Sequence, residues 1–441
     1  MPSIRFSPSA RGRGAGSFTG AALILAGALT LAGCASDTAR TTPVSSLTAT
    51  RPDLPVANGA EPYWWRTTGD PVLARLVETG LAQNRDLACK ARSLNAAQAS
   101  ASAKQRRIDS RIRHLFDTRD TDVTQAELAS RAYRFAAQRA QLAEAIALAY
   151  IETRRLQATL VAQSRALNTD ADNAEIAGFR KEAGLVSGLD TGLADTSLVA
   201  SHDALETLRT RFEDARAALA GLVGLPVAEL QAQLGEDGSV PAITLAAPAR
   251  TTRDELDRRA DLLALERSLI AHLIATKVSQ DELDAALART AGEDGPQGDT
   301  PAPPEARPQT SDGVSTDDAR AQVAVRQWRA ARDKALAQLA DARDRLAVSA
   351  QRESDLAQAI ARAHKTSEAA RLAYRTGTGD FATLYVAERT ALGLDVALIG
   401  ARAAQATASV QAWTAQGLGW SQSDLAPPAP PGDGPEVLVC E

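Results

Sequence analysis

The side chains best suited to chemistry are few and scattered. The histidines are His114, His202, His272 and His364, and the cysteines are Cys34, Cys89 and Cys440. None of them falls at the short spacings from which zinc sites are built. Each histidine stands isolated on a charged or helical stretch and is expected to be solvated or packed. The chain has no phosphate-binding glycine loop, no GxSxG turn and no dinucleotide glycine pattern. Charged runs such as Glu353 to Arg362 carry both signs and read as a solvated helix face. Neither catalysis, a metal nor a cofactor is expected.

Cys34 is set apart by what precedes it. Arg5, Arg11 and Arg13 form a positive opening, and Gly20 to Leu31 is a short apolar run. About a dozen residues are too few for a permanent membrane helix, which takes roughly 20. Residues 1–33 therefore read as a signal peptide. The run ends in Leu31-Ala32-Gly33-Cys34, which looks like a bacterial lipobox whose cysteine receives lipid. An ordinary signal peptide beside an incidental cysteine is the alternative. Ala35, in place of aspartate, is similar to lipoproteins sorted to the outer membrane. Acyl chains contribute about 0.8 kcal/mol per buried CH₂, so several would anchor the chain. Residues 34–58, rich in Thr, Ser, Pro and Ala, form a flexible lipidated tether. Cys89 and Cys440 have no CxxC neighbour. An oxidising compartment permits a disulfide, but two unrelated thiols are expected.

The bulk composition fits a scaffold more than a globule. Of 441 residues 44% are hydrophobic but only 4% aromatic, which favours extended helix pairs over a large aromatic core. The net charge of −5 gives no reason to expect nucleic-acid binding.

The elements that organise the chain are two turns. Tyr374-Arg375-Thr376-Gly377-Thr378-Gly379-Asp380-Phe381 lies between long helix-forming stretches and reads as a helix stop, a tight turn and a helix start. A related stretch, Phe179-Arg180-Lys181-Glu182-Ala183-Gly184-Leu185-Val186-Ser187, lies 193 residues earlier. Gly184 aligns with Gly377, and Ser187 with Asp380. The chain therefore reads as mainly α, built from two long antiparallel helical hairpins. The first repeat spans 59–250, with its tip near 184–190. The second spans 251–420, with its tip near 377–383.

Within the first repeat, Asp70-Pro71 starts a helix, with aspartate as N-cap and proline at N1. Asn84 to Leu87 interrupts it, and a second helix runs to about Arg107. Residues 108–125 are polar and charged. From Ala126 a long helix is expected to about Glu182, with a seven-residue seam of Leu128, Phe135, Leu142, Ala149 and Leu156. The return helix repeats that step at Leu198, Leu205, Phe212 and Leu219 and stops at Gly221 to Pro226. Residues 231–250 read as an irregular linker. Asp254 begins the second half, where Arg259-Ala260-Asp261-Leu262, then Leu265, Leu269 and Leu273, give another amphipathic helix to about Arg289. Residues 291–316 read as a disordered loop, followed by a long helix from Asp317 and a return helix ending near Gly417 to Trp420. Residues 421–441 are expected to be a disordered tail. Tyr63-Trp64-Trp65 is either a membrane-interface belt or an anchor packed on the body, and packing is favoured.

Several of these stretches, in this order, resemble the outer-membrane factor family: the TolC-like outer-membrane efflux proteins, and especially their lipoprotein branch. They are Trp64-Trp65, Gly69-Asp70-Pro71-Val72-Leu73, Leu81-Ala82-Gln83-Asn84-Arg85-Asp86-Leu87 and Ala149-Tyr150-Ile151-Glu152. The remainder are Leu219-Ala220-Gly221-Leu222-Val223-Gly224-Leu225-Pro226, Arg259-Ala260-Asp261-Leu262, Tyr374-Arg375-Thr376-Gly377 and Gly417-Leu418-Gly419-Trp420. The resemblance implies a homotrimer whose hairpins form a periplasmic tunnel, a passive export duct docked on a periplasmic adaptor protein and an inner-membrane pump. Carried over, the adaptor contacts are Gly184, Leu185, Val186, Ser187, Gly377, Thr378, Gly379 and Asp380. Plain turn chemistry accounts equally well for the glycines, Ser187 and Asp380.

Two departures stand out. The family usually continues its tunnel with a β-barrel, each strand taking about 9–11 alternating residues. Residues 108–125 offer mainly charge, and 291–316 include Pro301, Pro303, Pro304 and Pro308. The barrel strands are therefore expected to be shortened or absent, leaving the lipid on Cys34 as the membrane attachment. Acidic gate positions beyond the second tip are Thr383 and Val386 here, although Asp380 and Glu388 are nearby. The competing functional reading is a barrel-less periplasmic interaction or scaffold protein, or a decayed paralogue, that binds efflux components without forming a pore.

Overall fold

The structure, a computed structural model, describes residues 62–108, 119–236, 238–243, 256–275 and 316–426. All belong to one compact unit, Thr42–Glu441. They form helices α1 (Pro71–Gln83), α2 (Arg85–Ile108), α3 (Arg119–Glu182), α4 (Gly188–Val223), α5 (Val227–Leu234), α6 (Ala260–Ala275), α7 (Thr316–Thr376) and α8 (Phe381–Ala415). Short 3₁₀ turns occupy Trp64–Arg66 and Gln422–Leu425. No strand occurs among the described residues.

The duplication is visible in the helix lengths. Helices α3 and α4 have 64 and 36 residues, and α7 and α8 have 61 and 35. At 1.5 Å per residue each long leg measures about 90–96 Å and each return leg about 53 Å. The fold is mainly α and consists of two long antiparallel hairpins, as expected from the two turns.

Local chemistry starts and stops these helices. Asp70 caps α1, accepting from the amides of Val72 (2.9 Å) and Leu73 (3.0 Å), with Pro71 at the first helical position. Its other carboxylate oxygen accepts from the Tyr150 hydroxyl (2.8 Å), and Arg154 donates to that hydroxyl (3.0 Å) and to the Leu234 carbonyl (2.8 Å). Burial pushes the Tyr150 phenol well above its ordinary value. Asn84 breaks the first helix and caps the second, accepting from the Leu87 amide (2.9 Å). Gly80 lets α1 press between α3 and α4: a Cβ there would lie 2.4 Å from Ile146 Cδ1 and 3.3 Å from Val223 Cα.

The main core lies away from the turns. Trp64 and Trp65 pack there with Leu73, Leu76, Val77, Ile146, Tyr150, Leu219 and Val223. Trp64 stacks on Trp413 at 5.3 Å, and the Gly419 amide donates to the Pro62 carbonyl at 2.8 Å. The Tyr63-Trp64-Trp65 cluster is thus the packed anchor, joining the start of the first repeat to the end of the second.

Several sequence expectations are corrected. Helix α3 begins at Arg119, seven residues before Ala126. Polarity in 121–125 marks a half-buried to exposed helical stretch, not the absence of a helix. Residues 231–234, read as linker, complete α5. The most deeply buried stripe of α3 is largely alanine (Ala126, Ala132, Ala136, Ala140, Ala143, Ala147), and Leu128, Leu142 and Ala149 of the expected seam are only partly buried. Helices α1, α2, α4, α6 and α8 all pack on α3. Small residues let several axes approach one helix, whereas a leucine seam serves a single partner. Cys89, expected to be an unrelated thiol, is disulfide-bonded. His364, expected to be isolated, lies 3.0 Å from Asp395. Residues 421–426, read as part of the disordered tail, instead hold the turn Gln422–Leu425, where Asp424 accepts from the Tyr63 hydroxyl at 3.2 Å. The signal peptide, the tether with Cys34, the repeat boundary near 250, residues 291–315 and the rest of the tail, 427–441, lie outside the described residues, as do the slots 109–118 and 276–315.

Candidate functional site: two turns and the clamp behind them

The residues singled out by the duplication form two turns of one design. At the first, the Gly184 amide donates to the Lys181 carbonyl (2.9 Å) and the Leu185 amide to the Arg180 carbonyl (2.8 Å). At the second, the Gly377 amide donates to the Tyr374 carbonyl (3.1 Å) and the Thr378 amide to the Ala373 carbonyl (2.9 Å). This paired bonding ends a helix through a left-handed residue. The two glycines sit at φ 72° and 80°, where a Cβ is disfavoured. Ser187 and Asp380 then cap the return helices, accepting from the Leu189 amide (3.2 Å) and the Thr383 amide (2.7 Å). The hydrogen bond from Thr383 holds the Asp380 carboxyl below the usual range.

The turns lie side by side. Arg180 of the first hairpin donates to the Tyr374 carbonyl (2.5 Å), with its guanidinium 4.5 Å over the Tyr374 ring. Tyr374 meets Phe381 edge to face at 5.6 Å. Both are buried, with Leu384, against Ala177 and Ala194 of the first hairpin. Burial raises the Tyr374 phenol above its ordinary value, against the opposing pull of Arg180. All eight sequence-derived turn residues are therefore gathered at one end of the molecule.

A polar clamp behind the turns joins the hairpins. Arg389 of α8 reaches the buried Asp170 of α3 (2.7 Å) and the hydroxyls of Ser197 (2.8 Å) and Ser201 (2.6 Å) on α4. Both serines also donate to Asp170. Next to it, Glu388 accepts from Asn173 of α3 (2.7 Å) and from Arg371 of α7 (2.7 and 3.0 Å). Burial pushes the Glu388 carboxyl up, and Arg371 and Asn173 oppose that shift. The clamp borders a cavity of about 470 Å³ that also takes in His364 and Asp395.

Sequence reading missed this clamp because its members look like ordinary polar helix residues. The one signal available was Ser197 and Ser201 at i and i+4, a polar pair on the buried side of an otherwise apolar stripe. Both acids near the expected gate are already engaged, only one of them by the clamp. Asp380 is used as a cap and Glu388 in the hairpin interface, while Thr383 and Val386 are exposed. Among the described residues no group of acidic, histidine and cysteine side chains could hold a metal ion, and no single helix is long and apolar enough to cross a membrane.

Two long hairpins with adjacent tips, closed at the far end by a tryptophan-rich core, define a class of fold found in outer-membrane channels. The chain is similar to the outer-membrane channel OprN, with 21% identity, a TM-score of 0.67, and 82% of this chain and 93% of that one covered. It is similar to the outer membrane protein VceC of Vibrio cholerae, with 20% identity, a TM-score of 0.63, and 81% and 99% covered. The outer membrane channel CmeC of Campylobacter jejuni is 14% identical, with a TM-score of 0.64 and 82% and 89% covered. No protein-family model and no curated protein matches the chain. At these identities the likeness establishes the fold: the chain has the architecture of these channels.

Proposed function

We propose that the chain is a subunit of an outer-membrane efflux duct, homotrimeric, anchored by lipid on Cys34 and facing the periplasm. In this reading its paired turns dock on a periplasmic adaptor protein that links it to an inner-membrane pump. The observation that carries the reading is the pairing of two duplicated hairpin tips, in a fold shared with outer-membrane channels. Transport through such a duct is passive, and the adaptor contacts are Gly184 to Ser187 and Gly377 to Asp380.

A second reading is favoured by one specific observation. Only residues 109–118 separate Ile108 of α2 from Arg119 of α3. Ten residues match about one transmembrane strand of 9–11 residues and leave no room for a strand pair with its turn. The resemblance to the outer-membrane factors implies such a pair from each repeat. The second reading is therefore a helical periplasmic scaffold that binds efflux components without forming a pore of its own.

One measurement separates the two. The purified full-length protein is reconstituted into planar bilayers, and its conductance is recorded beside adaptor capture in solution. Stable trimeric pores support the duct and overturn the scaffold. Adaptor capture without pores does the reverse, and loss of both overturns the efflux reading itself.

A further inference from the structure

We infer that the exposed edge of α4 is the docking surface for the exposed edge of α7 in a second copy of this chain. The inference rests on the homotrimeric reading for the number of copies, and adds which faces meet and in what register. Within one chain α3 and α8 pack on each other, α4 lies on α3 and α7 lies on α8. Helices α4 and α7 are thus the outer members, and each keeps an open face.

Those faces are ordered. On α4, Thr196, Val199, Asp203, Glu206 and Thr210 follow steps of three and four residues and are all exposed. They lie opposite the buried stripe of Ala194, Ser197, Ser201 and Leu205. On α7, Gln358, Arg362, Lys365, Ala369 and Leu372 follow the same steps and are all exposed. Alternating steps of three and four make a straight seam for one partner helix. Among the described residues the side chains of Asp203, Arg362 and Lys365 have no partner, and Glu206 holds only Arg209 of its own helix.

The clamp fixes the relative heights of the two edges. Asp170 is bonded to Ser197 and Ser201 of α4 and to Arg389 of α8, and the neighbouring Glu388 to Arg371 of α7. Residue 199 therefore stands level with residue 370. Helix α4 runs away from the turns and α7 towards them, with the same rise per residue. Asp203 is then level with residue 366 and Glu206 with residue 363. Each is one residue, about 1.5 Å along the axis, from Lys365 and Arg362 respectively. Val199 falls between Ala369 and Leu372, and Thr210 beside Gln358. Acid meets base and apolar meets apolar, with no axial shift between copies. The favourable stretch ends one layer further on, where Glu213 comes level with Asp355. Each of these is met on its own helix, Glu213 by Arg216 and Asp355 by Gln351 at 2.9 Å.

Charge disfavours the alternatives. A slip of one seven-residue step sets Glu206 against Asp355 in one direction, and Asp203 against Leu372 in the other. Joining like edges at the same height sets Asp203 on Asp203 or Lys365 on Lys365. A contact between two different faces closes into a ring when it involves rotation alone, whereas an added translation gives a filament. The register chosen by the charges is the one without translation, and it sets the paired turns of every copy in one plane.

The test follows self-association of the full-length protein in mild detergent by sedimentation. Asp203→Lys and Lys365→Glu are each expected to weaken association roughly tenfold. The double variant, which restores opposite charges across the seam, is expected to return to within about twofold of the unaltered chain. Both positions are exposed, so the helical signal should be kept; Asp203→Asn and Lys365→Gln should give smaller losses. Trimers indifferent to these changes, or singles that the double does not rescue, overturn the seam and leave the homotrimer standing. Tighter association in Asp203→Lys means that α4 meets α4 and also overturns it. An unaltered chain that stays monomeric overturns the seam and the homotrimer together.

Discussion

The two turns share a backbone and differ in what they do with large side chains. The first turns them outward: Leu185 and Leu189 are each 69% exposed and Phe179 is 61% exposed. The second turns its aromatic pair inward, with Tyr374 at 0% and Phe381 at 2%, while Leu372, the counterpart of Phe179, stays 64% exposed beside Arg375, Thr376 and Thr378. Duplication has thus preserved the hydrogen-bonding scheme while the roles have separated. One turn offers an apolar surface, and the other supplies the small aromatic core that fastens the pair.

That division can be broken experimentally. The largest effect is expected from Gly377→Trp, which forces a bulky residue into a left-handed backbone at the junction with Arg180. Capture of a periplasmic adaptor should be lost while the far-ultraviolet helical signal is kept; undiminished capture would remove the second turn from the docking surface. Phe381→Ala should cost about 3–5 kcal/mol in denaturant unfolding, as for other buried aromatic truncations. Leu185→Ser should stay within about 0.5 kcal/mol, as for an exposed position. Equal losses at the two positions would end the distinction between an outward and an inward turn.

Asp170→Ala should cost about 3 kcal/mol, because it strands the Arg389 guanidinium in a partly buried site. Hydrogen exchange should then quicken in α4 and α8 near the turns and stay unchanged near Trp64. The smallest effect concerns pH. Glu388 has its carboxyl raised by burial, so the stability linked to it is present while it is protonated. That stability is lost as pH rises through the raised value. Asp380, held low by its cap, contributes in the opposite sense: present above the ordinary carboxylate value and lost as pH falls through the depressed one. Unfolding midpoints followed from pH 4 to 7 should flatten in Glu388→Gln; an unchanged profile would deny the buried carboxyl this role.

The hairpins were legible in the sequence because their signals are local. Gly184 and Gly377 need a left-handed conformation, Ser187 and Asp380 cap the next helix, and the 193-residue offset repeats the pattern. Asp70-Pro71 was readable for the same reason. The clamp was not, since Asp170 and Arg389 are 219 residues apart and each alone resembles a solvated helical charge. Nor was the start of α3, because a helix with a wet face has no apolar period to announce it. The alanine stripe escaped notice because a seven-residue pattern of leucines is conspicuous, whereas alanine is common on every helix face.

The bond between Gly419 and Pro62, with Trp64 lying on Trp413, bears on the order in which the molecule is made. The first helices to emerge during synthesis have core partners that emerge last. Each hairpin can zip from its turn using neighbouring contacts, but the tryptophan core must wait until residue 420 is present. Closure over some 350 residues is a late and slow event. A chain shortened before Trp413 should therefore hold formed hairpins around an unfinished centre, exposed to proteolysis in a way the complete protein is not.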